Sequence, residues 1–161
     1  MSLRPVTDSL EKLIILHKSL LEVSKQKTDI VKEGSAEKLQ SLLVKERKHV
    51  QALEQAEAKR QQVVGGWLKH QGIQSDEATL TDILNNVIDQ QDKRELEAAA
   101  VELTNVITQL KQQEQLNQAL IRQSMQFVEL SLETMKPSIQ SFNYGGNKTS
   151  APGRSVFDSR A

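Results

Sequence analysis

The chain has 161 residues, of which 37% are hydrophobic, 26% charged and only 3% aromatic. That composition suits one extended helical domain and leaves little material for a thick core with a catalytic pocket, so an enzyme is not expected. Lys plus Arg and Asp plus Glu balance at 21 each, which removes the charge surplus that nucleic acid or a membrane surface requires of a partner.

With no Cys, disulfides, thiolate metal sites and cysteine nucleophiles are all excluded. No apolar run approaches the roughly 20 residues of a membrane span, and Met1 to Leu16 lacks a signal-peptide layout. The expectation is a cytoplasmic protein.

The first helix is predicted over about residues 4–33. Leu3, Val6, Leu10, Leu13, Leu20 and Val31 follow a 3,4 spacing that Ile14 and Leu21 reinforce, Pro5 fits the first turn, and Gly34 ends it. His17, Ser24 and Lys27 interrupt this seam, which is therefore either partly wet or specified by a few polar contacts.

Ser35 is a candidate cap for a second helix over 36–70, and the short connection makes the pair an antiparallel hairpin. Its apolar positions are Leu39, Leu42, Leu43, Val50, Leu53, Val63, Val64, Trp67 and Leu68. Gly65 and Gly66 weaken its last turns by about 1 kcal/mol each relative to Ala, and Gly72 is the expected stop.

Leu80, Ile83, Leu84, Val87 and Ile88 form the face of a short amphipathic helix over 79–90, with Thr79 as its cap. A long helix follows over 93–137. Asp92 and Glu95 have the spacing of a capping box that would start it afresh, and a kinked continuation of the short helix is the alternative.

Asp92 to Lys136 is 45 residues without Gly or Pro. At 1.5 Å per residue that is about 68 Å, against about 42 Å and 45 Å for the first two uninterrupted stretches. A helix that outlasts its neighbours leaves apolar surface for a partner. Leu96, Leu103, Ile107, Leu110, Ile121, Met125, Val128, Leu132, Met135 and Ile139 fall on one stripe at 100° per residue, and Asn117 beside them is placed to fix register. Leu116, Leu120 and Phe127 form a second stripe about 100° away, either the wider face of a helix wedged between two others or a docking surface.

Ten of the last 25 residues are Gly, Pro or Ser, and Lys148, Arg154 and Arg160 against Asp158 give this segment a charge of +2. Residues 137–161 are expected to be a flexible, disordered tail carrying Ile139, Phe142, Tyr144, Val156 and Phe157 as docking side chains. The fold class is thus all-α: an elongated antiparallel bundle or coiled coil of three long helices plus one short helix, residues 1–136, followed by that tail.

Chemistry is sparse. Glu46 and His49 have the spacing of a helical-bundle metal site, but such a site needs two of these pairs and further carboxylates, so no metal and no cofactor is expected. Glu46 is expected to meet a cation such as Arg60 across the hairpin, or solvent. Gly65-Gly66 and Gly145-Gly146 lack the context of a phosphate-binding loop.

Read in order, the segments Leu39-Gln40-Ser41-Leu42-Leu43-Val44-Lys45-Glu46, Leu53-Glu54-Gln55-Ala56-Glu57-Ala58-Lys59-Arg60, Thr79-Leu80-Thr81-Asp82-Ile83-Leu84 and Asn117-Gln118-Ala119-Leu120, with Tyr144-Gly145-Gly146 after the last helix, resemble the FlgN family of flagellar type III export chaperones. The resemblance implies an all-helical cytosolic chaperone that binds the C-terminal helical region of hook-filament junction proteins, prevents their premature assembly and delivers them to the export gate. It places substrate binding on the helical body and the end of the long helix, for which Leu116, Leu120, Met125, Phe127, Val128, Leu132, Met135 and Ile139 are the candidates, and gate docking on Tyr144.

Two other readings compete. One is a structural or adaptor coiled coil acting as a homodimer; the other is a helical-bundle enzyme or metal carrier.

Overall fold

The computed structural model describes residues 2–74 and 79–144, with residues 137–144 described as backbone only. It is all-α among those residues: α1 (Arg4–Glu33), α2 (Ala36–His70), α3 (Leu80–Asn86) and α4 (Gln90–Tyr144). The chain divides into two compact units, Met1–Ile121 and a second beginning at Arg122.

In the first unit the turn between α1 and α2 is made by two residues with complementary roles. Gly34 adopts φ +79°, a left-handed conformation that costs a side-chain-bearing residue about 1–2 kcal/mol, and its N–H bonds back to the Ile30 and Val31 carbonyls. Ser35 is extended, and its hydroxyl accepts from the Lys38 N–H. α2 runs through Gly65-Gly66 without breaking and ends in a Schellman motif: Gly72 at φ +73° donates to the Lys69 carbonyl and Ile73 to the Leu68 carbonyl.

α3 is shorter than the 79–90 read from the sequence, because Val87 turns extended. Ile88 consequently lies off the amphipathic face, 94% exposed. Thr79 and Asp82 close the capping box at its start. α3 and α4 are separate helices. The cap of α4 is Asp89, not Asp92: its carboxylate accepts from the Gln91 and Asp92 N–H groups, which moves the helix start to Gln90.

The expected end at 137 also moves. α4 passes Pro137, whose fixed φ is compatible with a helix, and continues to Tyr144, so 137–144 are helical where a flexible tail was expected. The remaining tail residues, with Val156 and Phe157, lie outside the described residues.

Side-chain pairings set the helix directions in the first unit. Lys27 on α1 meets Glu46 on α2, whereas the Leu3 end of α1 packs with Val64, Trp67 and Leu68, so α1 and α2 are antiparallel. Lys18 pairs with Glu102 and Ser24 with Glu114, so α4 runs parallel to α1. The core gathers Leu3, Val6, Leu10 and Leu13 with Val64, Trp67, Leu68, Ile83, Leu96 and Ala99, each less than a tenth exposed. Fully burying a side chain of this size contributes about 1.5–3 kcal/mol.

Towards the α1–α2 turn the interior becomes polar. Ser24, Lys27, Thr28 and Asn117 are all buried. The Asn117 amide donates to the Ser24 carbonyl and hydroxyl, its oxygen accepts from Thr28, and Gln113 donates to the same Thr28 hydroxyl. Asn117 therefore holds α4 in register on α1, and the interrupted seam of α1 is specified by polar contacts at Ser24 and Lys27.

Candidate protein-binding surfaces

The apolar faces of α4 differ between the two units. In the first, Leu96, Ala99 and Val106 are buried, while Ile107, assigned to the core stripe from the sequence, is 37% exposed. The α1 contacts at Glu102, Gln113 and Asn117 set which face turns inward, and Val106 rather than Ile107 lies on it. Ile107 instead lines an open groove of about 560 Å³ with Leu103, Leu13 and His17 at one side and Leu53 and Glu57 at the other.

Two side chains give this groove its electrostatic edge. Arg60 donates to both carboxylate oxygens of Glu57, at 2.8 and 2.6 Å. These hydrogen bonds hold the Glu57 carboxyl below its ordinary range and raise Arg60. The His17 Nδ1 donates to the Leu13 carbonyl at 2.7 Å. Arg60 is thus committed within its own helix, and the cation that meets Glu46 is Lys27 of α1. His49 donates to the Lys45 carbonyl. Among the described residues no group of three or more His, Cys, Asp or Glu is placed to hold a metal.

Of the sequence-predicted substrate residues in the first unit, Leu116 is 46% exposed and Leu120 is half-buried. The second unit, taken by itself, begins as a helix whose large apolar side chains, among the described residues, are exposed. Met125, Val128, Leu132 and Met135 are exposed, and their 3,4,3 spacing places them on one face within about 80° of each other. Phe127, 70% exposed, lies about 120° from the middle of that face by the same angular count.

Leu130, 62% exposed, lies at the edge of the second stripe, about 60° from Phe127, and was not counted in it. Its signal in the sequence was the i, i+3 spacing from Phe127. The side chains of Ile139 and Tyr144 lie outside the described residues; the backbone makes Tyr144 the last residue of α4 rather than one beyond it.

A 3,4 repeat of Met, Val and Leu on a solvated helix can bury a second helix knobs-into-holes and has no nucleophile, base or ligand set for chemistry. The family model described as FlgN protein matches residues 1–152.

The chain belongs to the FlgN family. This FlgN chain is accordingly of a flagellar export chaperone type that binds flagellar proteins. It is similar to the "Uncharacterized protein YvyG" of Bacillus subtilis (strain 168), 31% identical over 165 residues that cover 100% of each chain. No solved structure matches it. No helix among the described residues of this FlgN protein is long and apolar enough to cross a membrane.

Proposed function

We propose that this FlgN-family protein acts in the cytoplasm, binds the C-terminal helical region of hook-filament junction proteins, prevents their premature assembly and delivers them to the flagellar type III export gate. The observation that carries this reading is the solvated 3,4 repeat Met125, Val128, Leu132 and Met135. An amphipathic helix of a client docks on such a repeat through anchors at i, i+3, i+4 and i+7, and the two thioethers repack around clients that differ in shape. Phe127, Leu116, Leu120 and Ile139 are further candidates for client contact, and Tyr144 serves the gate. A client helix that orders on binding keeps affinity moderate, which suits release at the gate.

Isothermal titration with the C-terminal segments of the two junction proteins tests the reading. Saturable one-to-one binding is expected. The pair Val128→Asp and Leu132→Asp should abolish it, and unchanged binding by that variant would remove this face from the proposal. A structural homodimer pairing through the same repeat is the competing use; light scattering of the free protein at twice the monomer mass, lost in the same variant, would favour it.

A further inference from the structure

Lys27 is a side chain that the proposed client surface does not use. It is buried inside the first unit, where its ammonium meets two carboxylates, Glu46 from α2 and Glu114 from α4, the latter at 3.2 and 3.3 Å. Ser24 donates to Glu114 at 2.7 Å, and the Thr28, Asn117 and Gln113 bonds complete a layer that ties all three long helices together.

This layer and the Trp67 core hold α4 by different physics. Leaving the core exposes apolar surface at about 25 cal/mol per Å². Leaving the layer returns an ammonium, two carboxylates, two hydroxyls and two amides to water, where each recovers hydrogen bonds and the ions recover their solvation, so the net cost is small. A bundle built this way opens at its polar end before its apolar one.

We infer that the Lys27 layer is a latch: α4 parts from the α1–α2 hairpin there, back to Val106, while the Trp67 core stays closed. The open state bares Leu21 and Val106, both buried in the closed one.

Because the chain has no cysteine, single thiols report the opening directly. In the full chain, Val106→Cys and Val64→Cys each place one thiol at a buried position, 5% and 0% exposed respectively. Under native conditions the first is expected to react with a maleimide at least about tenfold faster than the second, each rate taken relative to that in denaturant. Replacing the charged part of the layer by Lys27→Met, Glu46→Leu and Glu114→Met should slow the Val106→Cys thiol by about tenfold and leave the Val64→Cys thiol unchanged, since apolar residues of similar volume remove the three ions whose solvation favours opening.

Equal rates for the two thiols in the otherwise native chain would overturn the latch, as would a layer replacement that leaves the Val106→Cys rate unaltered. If the replaced layer does not fold, the native comparison decides alone. Should Val106→Cys lower helicity, Leu21→Cys on α1 takes its place under the same criteria.

Discussion

At the scale of single residues, the strongest dependence falls on Lys27. Lys27→Ala leaves Glu46 and Glu114 facing each other without their cation and should cost about 3 kcal/mol, the low end for a broken buried pair because Glu114 keeps some contact with water. Urea denaturation read by the single tryptophan, Trp67, which is buried in the core, measures this directly. Glu57 makes a smaller and pH-dependent contribution. Its carboxyl is held low by Arg60, so the stability it adds is present above the ordinary glutamate value of about 4.3 and is lost as pH falls through the depressed one. Arg60→Ala should flatten that acid limb and lower stability at pH 7 by the same small amount, small because the Glu57 side chain is 42% exposed and water screens the pair. Sequence reasoning flagged His17, Ser24 and Lys27 as seam breakers and Asn117 as a register residue, but offered Glu46 a cation such as Arg60, or solvent, where the structure gives it Lys27. Heptad position tells which residues face inward, whereas the identity of an ion-pair partner depends on how far one helix has slid along another.

At the scale of elements, the two glycine classes predict opposite outcomes. Gly66 lies inside α2 with nothing within 4 Å of an added Cβ, so Gly66→Ala should raise stability by about 1 kcal/mol. Gly34 also has open space, yet its φ of +79° makes Gly34→Ala cost about 1 kcal/mol in the same urea experiment. Helix existence and the α1 and α2 boundaries were legible because Gly34, Ser35 and Gly72 punctuate the chain with residues whose physics is local. The boundaries of α3 and α4 were less so. Asp89 and Asp92 are both competent caps, and only the extended turn at Val87 selects the first; Pro137 reads as a terminus, although a helix can carry a proline at the loss of one hydrogen bond. Asp89→Ala should therefore fray the start of α4 and lower stability by about 1 kcal/mol, visible as lost helicity without loss of the Trp67 transition.

At the scale of the whole molecule, the fold class followed from composition and from long stretches free of Gly and Pro. The candidate surface followed only in part. Periodicity marks Met125, Val128, Leu132 and Met135 as one face but is silent on whether that face is covered, since a core stripe and a docking stripe obey the same rule. If the face serves a client, Val128→Asp with Leu132→Asp should leave circular dichroism and the urea midpoint of the Trp67 transition within error of the parent, because both side chains are already solvated. The parallel pairing of α1 with α4 carries a further consequence, for the order of events during synthesis. Lys18 and Glu102 are 84 residues apart, and Asn117 and Ser24 are 93 apart. The hairpin can close as soon as α2 leaves the ribosome, but its α4-facing side, with Leu10 and Leu13, has no cover until a further stretch of chain emerges, a delay of a few seconds at roughly 5–20 residues per second. A fragment spanning residues 1–74 should accordingly be helical yet bind more apolar dye per molecule than the full chain. During its own translation this chaperone passes through the exposed condition from which it is proposed to protect its clients.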